Sequence, residues 1–266
     1  MSRSSSLWTV LLLSSLSPRP SSLCAETSPK AQAEIAWEHR DQPGQTEAAI
    51  QDWTQALQAE PKRADLWIDL AKAQGRAVRH AETSQDRRKW ADAARHSACQ
   101  AVRLAPHDAE AYTVYGEAMG QWANAHKGFY SLSAVRRAIY ALQKAISIDP
   151  RHAYAHMLLA EFYRQAPRFL SVGDKKKALR HAQLAVQYGP NYAINHLVLA
   201  RAYFELQRKN DGIAELQRIV ALSPPTDNIP ETMADQDTAK KMLASLGVVP
   251  VVADCGQAGP CSEQRP

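Results

Sequence analysis

The stretch KAISIDP, residues 144–150, decides the fold because its pattern occurs at five places in the chain. A run of small and apolar residues with helical spacing stops at a proline, which cannot continue a helix. The other four copies are QALQAEP at 55–61, QAVRLAP at 100–106, LAVQYGP at 184–190 and RIVALSP at 218–224. Each copy predicts the end of the same kind of helix, so the chain is a candidate for a helical repeat.

Small and apolar residues also recur at fixed intervals upstream of these prolines. Before Pro150 they are Ala138, Leu142 and Ala145. The same intervals hold for Ala49, Trp53 and Ala56; for Ala94, Ala98 and Ala101; for Ala178, Ala182 and Ala185; and more loosely for Gly212, Leu216 and Ile219. A face of small residues allows a second helix to approach closely.

A second helical pattern begins six residues after each of the first four prolines. It places a large residue, then a leucine or tyrosine, then a small residue on one face. The sets are Trp67, Leu70 and Ala71; Tyr112, Tyr115 and Gly116; His156, Leu159 and Ala160; and His196, Leu199 and Ala200. Two helices per unit therefore alternate along the chain, which predicts a series of helical hairpins.

With both halves present in four consecutive units, residues 31 to 224 resemble the tetratricopeptide (TPR) repeat family. The resemblance implies an all-α fold, a right-handed superhelix of about five TPR-like hairpins. Ala239, Met242 and Leu243 add a helical pattern that Gly247 ends, and it predicts a C-terminal capping helix. Only the last proline interval, from 190 to 224, has the family's unit length. The extra residues of the earlier intervals lie between the two helices of a hairpin and predict an overhanging edge on the second to fourth units.

The ends of the chain predict segments outside the repeats. Arg3 precedes an apolar run over 7–16, so residues 1–25 are interpreted as a secretory signal and the protein as extracytoplasmic, either periplasmic or secreted. Lipid attachment at Cys24 is the alternative. The repeat domain is predicted over 26–224, the cap over 225–247 and a flexible tail over 248–266. No later apolar stretch is long enough to span a membrane.

The tail holds Cys255 and Cys261, six positions apart, and both a disulfide and two free thiols remain open. The chain has 32 basic and 27 acidic residues, a surplus too small to predict nucleic-acid binding.

Motifs for chemistry are missing from the sequence. It has no phosphate-binding glycine loop, no cluster with zinc spacing and no nucleophile elbow, so we predict neither an enzyme nor a cofactor. His152 and His156 are the best metal pair, but His196 repeats the position of His156, which favours a packing role. Asp174 before three lysines at 175–177 predicts a helix N-cap followed by either a solvated basic turn or an anion site.

The TPR resemblance implies that the first helix of each hairpin lines a concave groove. The implied groove residues are Ile68, Lys72, Thr113, Glu117, Tyr154, Met157, Glu161, Ile194, Leu197, Arg201 and Phe204. The overhanging edge adds Trp90, Trp122, Phe129 and Tyr130. We predict that the groove binds a protein or peptide partner, or an apolar small molecule, unless these residues pack against the capping helix.

Two other functions stay open at this point. One is a structural module that assembles with copies of itself. The other is a ligand-handling component of a transporter, because the segment RFLSVGDKKKALRHAQLAV at 168–186 resembles the T component of tripartite (TRAP) transporters.

Overall fold

The computed structural model describes residues 28–126, 129–165 and 174–249. Within these ranges every regular element is a helix, which confirms the predicted fold class. The α-helices are α1 (Pro29–Glu38), α2 (Gln45–Ala59), α3 (Ala64–His80), α4 (Ser84–Leu104), α5 (Ala109–His126), α6 (Phe129–Ile148), α7 (Ala153–Gln165), α8 (Lys175–Tyr188), α9 (Ala193–Glu205), α10 (Lys209–Ala221) and α11 (Ile229–Ser245). A short 3₁₀ turn, Thr226–Asn228, precedes α11.

The repeated prolines end the second helix of each hairpin in a common way. Glu60, Ala105 and Gly189 each precede a proline, and their backbone angles agree closely, with φ between −127° and −139° and ψ between 64° and 70°. A residue before proline avoids the helical conformation because the proline ring would clash with it. Each of the three still donates its backbone N–H to a carbonyl of the helix it leaves. The proline thus sets the length of the helix.

Longer helices account for the overhanging edge in the second and third hairpins. The second helices α4 and α6 have 21 and 20 residues, whereas α8 and α10 have 14 and 13. Their partners α3 and α5, with 17 and 18 residues, also exceed the 13 residues of α7 and α9. The connection that lengthens the fourth hairpin, 166–173, lies outside the described residues.

Small residues allow close packing within and between hairpins. Ala94, Ala98 and Ala101 on α4 are fully buried, and their counterparts on the other second helices are buried as well. Gly116 on α5 shows how close the helices come, since a Cβ built there would lie 2.6 Å from Leu142 Cγ on α6. Any larger side chain at Gly116 would push the two helices of this hairpin apart.

The hairpins form two layers that run side by side. The first helices contact one another in order, α3 with α5, α5 with α7 and α7 with α9, and we call their shared surface the inner face. The second helices α4, α6 and α8 form the outer layer. Helix α11 packs against both α9 and α10. Its Ala239 and Leu243 are fully buried with Leu197 and Leu216, so α11 caps the last hairpin as predicted.

Candidate partner-binding face

The fifth positions of the first helices do not form an apolar groove floor. Ile68, Thr113, Met157 and Leu197 are at most 6% exposed. Ile68 packs with the alanines of α4 in its own hairpin and with Ala111 and Val114 of the next, and Leu197 packs with Leu216 of its own hairpin and with α11. The interpretation as a free apolar surface is wrong, because these side chains are buried inside the stack and do not face solvent. A binding surface on the inner face must therefore be built from other residues.

The ninth positions join successive first helices through ion pairs. Lys72 Nζ lies 2.6 Å from a carboxylate oxygen of Glu110 on α5. Glu117 pairs with Arg79 of α3 at 2.6 Å. Each pair connects α3 to α5, so these groups hold the inner face in one arrangement.

The same arrangement recurs between α7 and α9. Arg164 contacts both Glu161, at 2.7 Å, and Glu205, also at 2.7 Å. Arg201 approaches Glu161 at 3.7 Å. The predicted charges of the groove are therefore present on the inner face, and they are largely paired with each other.

Tyr154 lies beside the ion pair between Arg79 and Glu117. Its ring is half-buried on α7, near Glu117 and Arg79 of the preceding hairpins. Desolvation, reinforced by the negative charge of Glu117, raises the pKa of the Tyr154 phenol well above its usual value. The hydroxyl therefore stays neutral and acts as a hydrogen-bonding group on the inner face.

Helix α11 covers the end of the inner face that belongs to the last hairpin. Ile194 and Phe204, both predicted groove residues, pack against the cluster that contains Ala239 and Leu243 of α11. Asp235 of α11 lies near Arg201. For this end of the groove, packing against the capping helix is the correct alternative.

The first turn of α11 also reaches the opposite end of the stack. Arg40, in the turn after α1, donates from Nε and Nη2 to the carboxylate of Glu231, at 3.0 and 2.7 Å. Arg76 of α3 donates to the same carboxylate at 2.5 Å. We call Arg40, Arg76 and Glu231 the closing contact. No local sequence pattern signals it, because Arg40 and Glu231 are 191 positions apart.

The closing contact is buried and only partly satisfied. Arg40 and Arg76 are 7% and 8% exposed. Burial alone would raise the pKa of the Glu231 carboxyl, but the hydrogen bonds and charge of Arg40, with the charge of Arg76, lower it below the usual value. Within the described residues, Arg76 Nε and the hydroxyl of neighbouring Thr232 are buried without a hydrogen-bond partner. The site has more donors than α11 uses.

The two predicted edge aromatics whose side chains are described lie in different surroundings. Trp90 packs against the core that the first hairpin shares with α3. Trp122 stacks on His126 at a ring distance of 4.5 Å and donates its indole N–H to Asp92 at 2.7 Å. The side chains of Phe129 and Tyr130 lie outside the described part of the structure, as do residues 1–25, Cys24, Cys255 and Cys261.

Hydrogen-bonding neighbours in the protein account for the positions of His152 and His156 without a metal ion. His152 Nε2 lies 2.8 Å from Glu110 Oε2. His156 Nε2 is 3.1 Å from the carbonyl of Pro150, and His196 makes the same contact with Pro190 at 2.9 Å. Over the described residues no group of three His, Cys, Asp or Glu side chains is placed to hold a metal ion. None of the described helices is both long and apolar enough to cross a membrane.

A known TPR structure supports the fold. TTC0263, a thermophilic TPR protein of Thermus thermophilus, is 16% identical with a TM-score of 0.62, and the alignment covers 81% of this chain and 99% of that one. A MamA protein is 17% identical with a TM-score of 0.44, covering 84% of this chain and 98% of that one. The fold is thus a right-handed superhelix of TPR-like hairpins with a C-terminal cap.

Residues 85–197 match the sequence model of the plant-specific mitochondrial import receptor subunit TOM20. This segment extends from α4 into α9 and covers less than half of the chain. No match was found among the curated proteins. The match to a mitochondrial family overturns the extracytoplasmic location predicted from the N-terminal residues, and nothing found supports the likeness to a TRAP transporter component.

Proposed function

We propose that this chain is a non-enzymatic helical-repeat scaffold that binds an acidic helical segment of a partner protein on its inner face. The observation that carries the proposal is the closing contact. There the inner face already holds a helix, its own α11, through one carboxylate on two almost fully buried arginines. A helix that presents an acidic side chain in its first turn is therefore a ligand for which this face has the shape and the charge.

The chain's own helix fits this site incompletely, which leaves room for competition. The first two turns of α11 expose Ile229 and Met233 by 42% and 58%. Arg76 Nε is buried beside Glu231 without a partner among the described residues. These two apolar side chains therefore contribute little to holding the start of α11, and a partner segment that also satisfies the Arg76 donor would bind in its place.

The rest of the inner face favours a protein segment over the apolar small molecule. Its accessible groups are charged side chains, since the apolar fifth positions are buried and the Tyr154 hydroxyl is desolvated beside Glu117. The titratable groups form ion pairs across helices, and their role in the stack is to hold neighbouring repeats together. We infer that they position a ligand by charge and carry out no reaction.

A photo-crosslinking experiment tests this binding face. A photoreactive amino acid at Tyr154 of the full-length chain should give adducts with a partner protein in cells, whereas the same group at Gln187, exposed on the outer layer, should give few. Adding Glu231→Gln, which loosens the closing contact, should increase the adducts from position 154. Equal labelling from both positions, or a loss of adducts with Glu231→Gln, would rule out the inner face as the binding site.

We further propose that the scaffold works at the mitochondrion. The proposal is supported by the match of residues 85–197 to the import receptor family. The full-length chain carrying a C-terminal tag should co-fractionate with mitochondria from plant cells. Recovery of the tagged chain in the culture medium or in the secretory membranes would contradict this location.

A further inference from the structure

The outer layer of the stack carries a concentration of basic side chains. Helices α6 and α8 contain no acidic residue, and α8 begins with three lysines. The exposed basic residues, which we call the outer basic face, are Arg95 on α4, Arg136 and Arg137 on α6, and Lys176, Lys177 and Arg180 on α8. The chain as a whole is only +5, so this face concentrates positive charge that the composition does not reveal.

The basic positions correspond from one hairpin to the next. Arg136 lies two positions before the buried Ala138, and Arg137 lies one position before it. Lys176 and Lys177 stand in the same relation to the buried Ala178. The repeat geometry therefore places matching cations side by side on neighbouring second helices. Because these second helices all start at the same edge, the matching cations fall on one surface.

Contacts to aromatic rings of α5 and α7 connect the neighbouring second helices α4, α6 and α8. Arg95 of α4 and Arg137 of α6 line one cavity of about 170 Å³, together with Met119 and Trp122. The Arg95 guanidinium lies over the Trp122 ring at 5.6 Å. Between α6 and α8, Gln143 donates to the Tyr163 hydroxyl while Lys177 lies over the same ring at 5.6 Å. The cations of α4, α6 and α8 therefore share one continuous surface.

The described part of the protein leaves the charge of this surface unneutralised. In the ranges 28–126, 129–165 and 174–249, no carboxylate forms an ion pair with Arg95, Arg136, Arg137 or Lys176. Asp92, the nearest acidic residue on α4, accepts the Trp122 N–H and approaches His126 at 3.3 Å instead. Three lysines at a helix start also oppose the helix dipole, which the Asp174 cap partly offsets. An external anion would offset the unpaired positive charge of this surface and the unfavourable interaction of the lysines with the helix dipole.

We propose that the outer basic face docks on a bilayer containing anionic lipids, with one headgroup phosphate held between Arg95 and Arg137. The face is broad and formed by parallel helices, and it offers neither a free strand edge nor an apolar groove in the described structure. A bilayer needs only area and charge, whereas a peptide needs such a groove for its anchors. Tyr140, 69% exposed between Arg136 and Lys144 of the same helix, supplies the amphipathic ring that a membrane interface favours.

This inference does not depend on the proposed function. The partner helix binds the inner face, and the bilayer contacts the opposite, outer layer. Both surfaces can be occupied at once, so loss of either activity leaves the other measurable.

Vesicle co-sedimentation tests the bilayer contact. The purified full-length chain should bind vesicles of about seven parts phosphatidylcholine to three parts phosphatidylserine, and not pure phosphatidylcholine vesicles. Arg136→Gln with Lys176→Gln should lower the partition coefficient about tenfold or more, since each basic residue near such a surface contributes about fivefold. The matched control, Lys240→Gln with Lys241→Gln on α11, removes the same charge from exposed positions elsewhere and should leave binding within about twofold.

Three further measurements can overturn the proposal. Arg95→Gln with Arg137→Gln should weaken vesicle binding more than the Arg136 and Lys176 pair, because these residues hold the phosphate. Circular dichroism should show that all variants keep their helix content. Equal losses in the control pair would show that the net charge of the chain, and not the outer basic face, drives vesicle binding. No binding to anionic vesicles, while polyglutamate or single-stranded RNA binds at physiological salt, would show that the face serves a soluble polyanion and not a bilayer.

Discussion

Arg40 and Glu231 form a two-point ion pair that joins the two ends of the repeat stack. Arg40 Nη2 lies 2.7 Å from Glu231 Oε2, and Arg40 Nε lies 3.0 Å from Oε1, across 191 positions of sequence. Repeat proteins are normally held together by contacts between adjacent units. Here the first turn of α11 contacts the first two hairpins as well as the last. One carboxylate therefore contributes to the stability of both ends of the stack.

Replacing that carboxylate should destabilise the protein. Glu231→Gln keeps the size of the side chain but leaves two almost buried guanidinium groups without a counter-charge. Because Glu231 itself is 29% exposed, we expect a loss of about 2 kcal/mol, below the value for a fully buried pair. The free energy of unfolding in urea measures it. Asp237→Asn, on an exposed side chain of the same helix, is the control and should change stability by less than about 0.5 kcal/mol.

The effect of Glu231→Gln should depend on pH. The pKa of Glu231 is lowered on folding, so its stabilisation is fully present above the unfolded value of 4.5 and decreases as the pH falls below it. The difference between the wild type and the variant should be constant from neutral pH to about 5 and then narrow. A difference that persists unchanged into strong acid would mean that the carboxylate charge does not hold the contact.

Asp235, one turn further along α11, should have the opposite pH dependence. Burial raises its pKa to about 6 from 3.8, despite the opposing charge of Arg201. The folded state therefore binds the Asp235 proton more tightly than the unfolded state does. The contribution of Asp235 to the free energy of unfolding is favourable below pH 3.8 and is lost as the pH rises through about 6. Asp235→Asn should raise stability at neutral pH by about 1 kcal/mol after allowance for solvent screening.

The measurement is urea unfolding of both proteins at several pH values. The advantage of Asp235→Asn should disappear between pH 6 and about pH 4. A variant that is less stable than the wild type at neutral pH would indicate that Asp235 is stabilised by Arg201 and not penalised by burial.

Local sequence patterns were enough to predict the hairpins because each one depends on contacts within the unit. The prolines stop the second helices where predicted. The large position six residues later also has one structural role, since Trp67 donates to the carbonyl of Pro61 at 2.9 Å just as the histidines at 156 and 196 contact theirs. Either a tryptophan or a histidine can occupy this position, because each has a ring nitrogen at a similar distance from the backbone.

The candidate site could not be predicted to the same extent. The charged ninth positions were identified, but Glu110, the partner of Lys72, and Arg79, the partner of Glu117, lie on neighbouring hairpins whose relative placement no local pattern fixes. The closing contact depends on the curvature of the whole stack, which brings residue 40 to residue 231. The fifth positions were assigned to solvent by analogy with an open groove, whereas packing of adjacent hairpins and α11 buries them.

Truncation of Leu197 tests whether the fifth positions are buried. Leu197 is 2% exposed and packs against Leu216 and Leu243, so Leu197→Ala removes buried methyl groups and leaves a cavity between α9, α10 and α11. We expect a loss of about 3 kcal/mol in the free energy of unfolding. Ile35→Ala, on a side chain that is 53% exposed on α1, is the matched control and should cost less than about 0.5 kcal/mol. If Leu197→Ala were as mild as the control, the side chain would face solvent and the apolar groove floor would have to be reinstated.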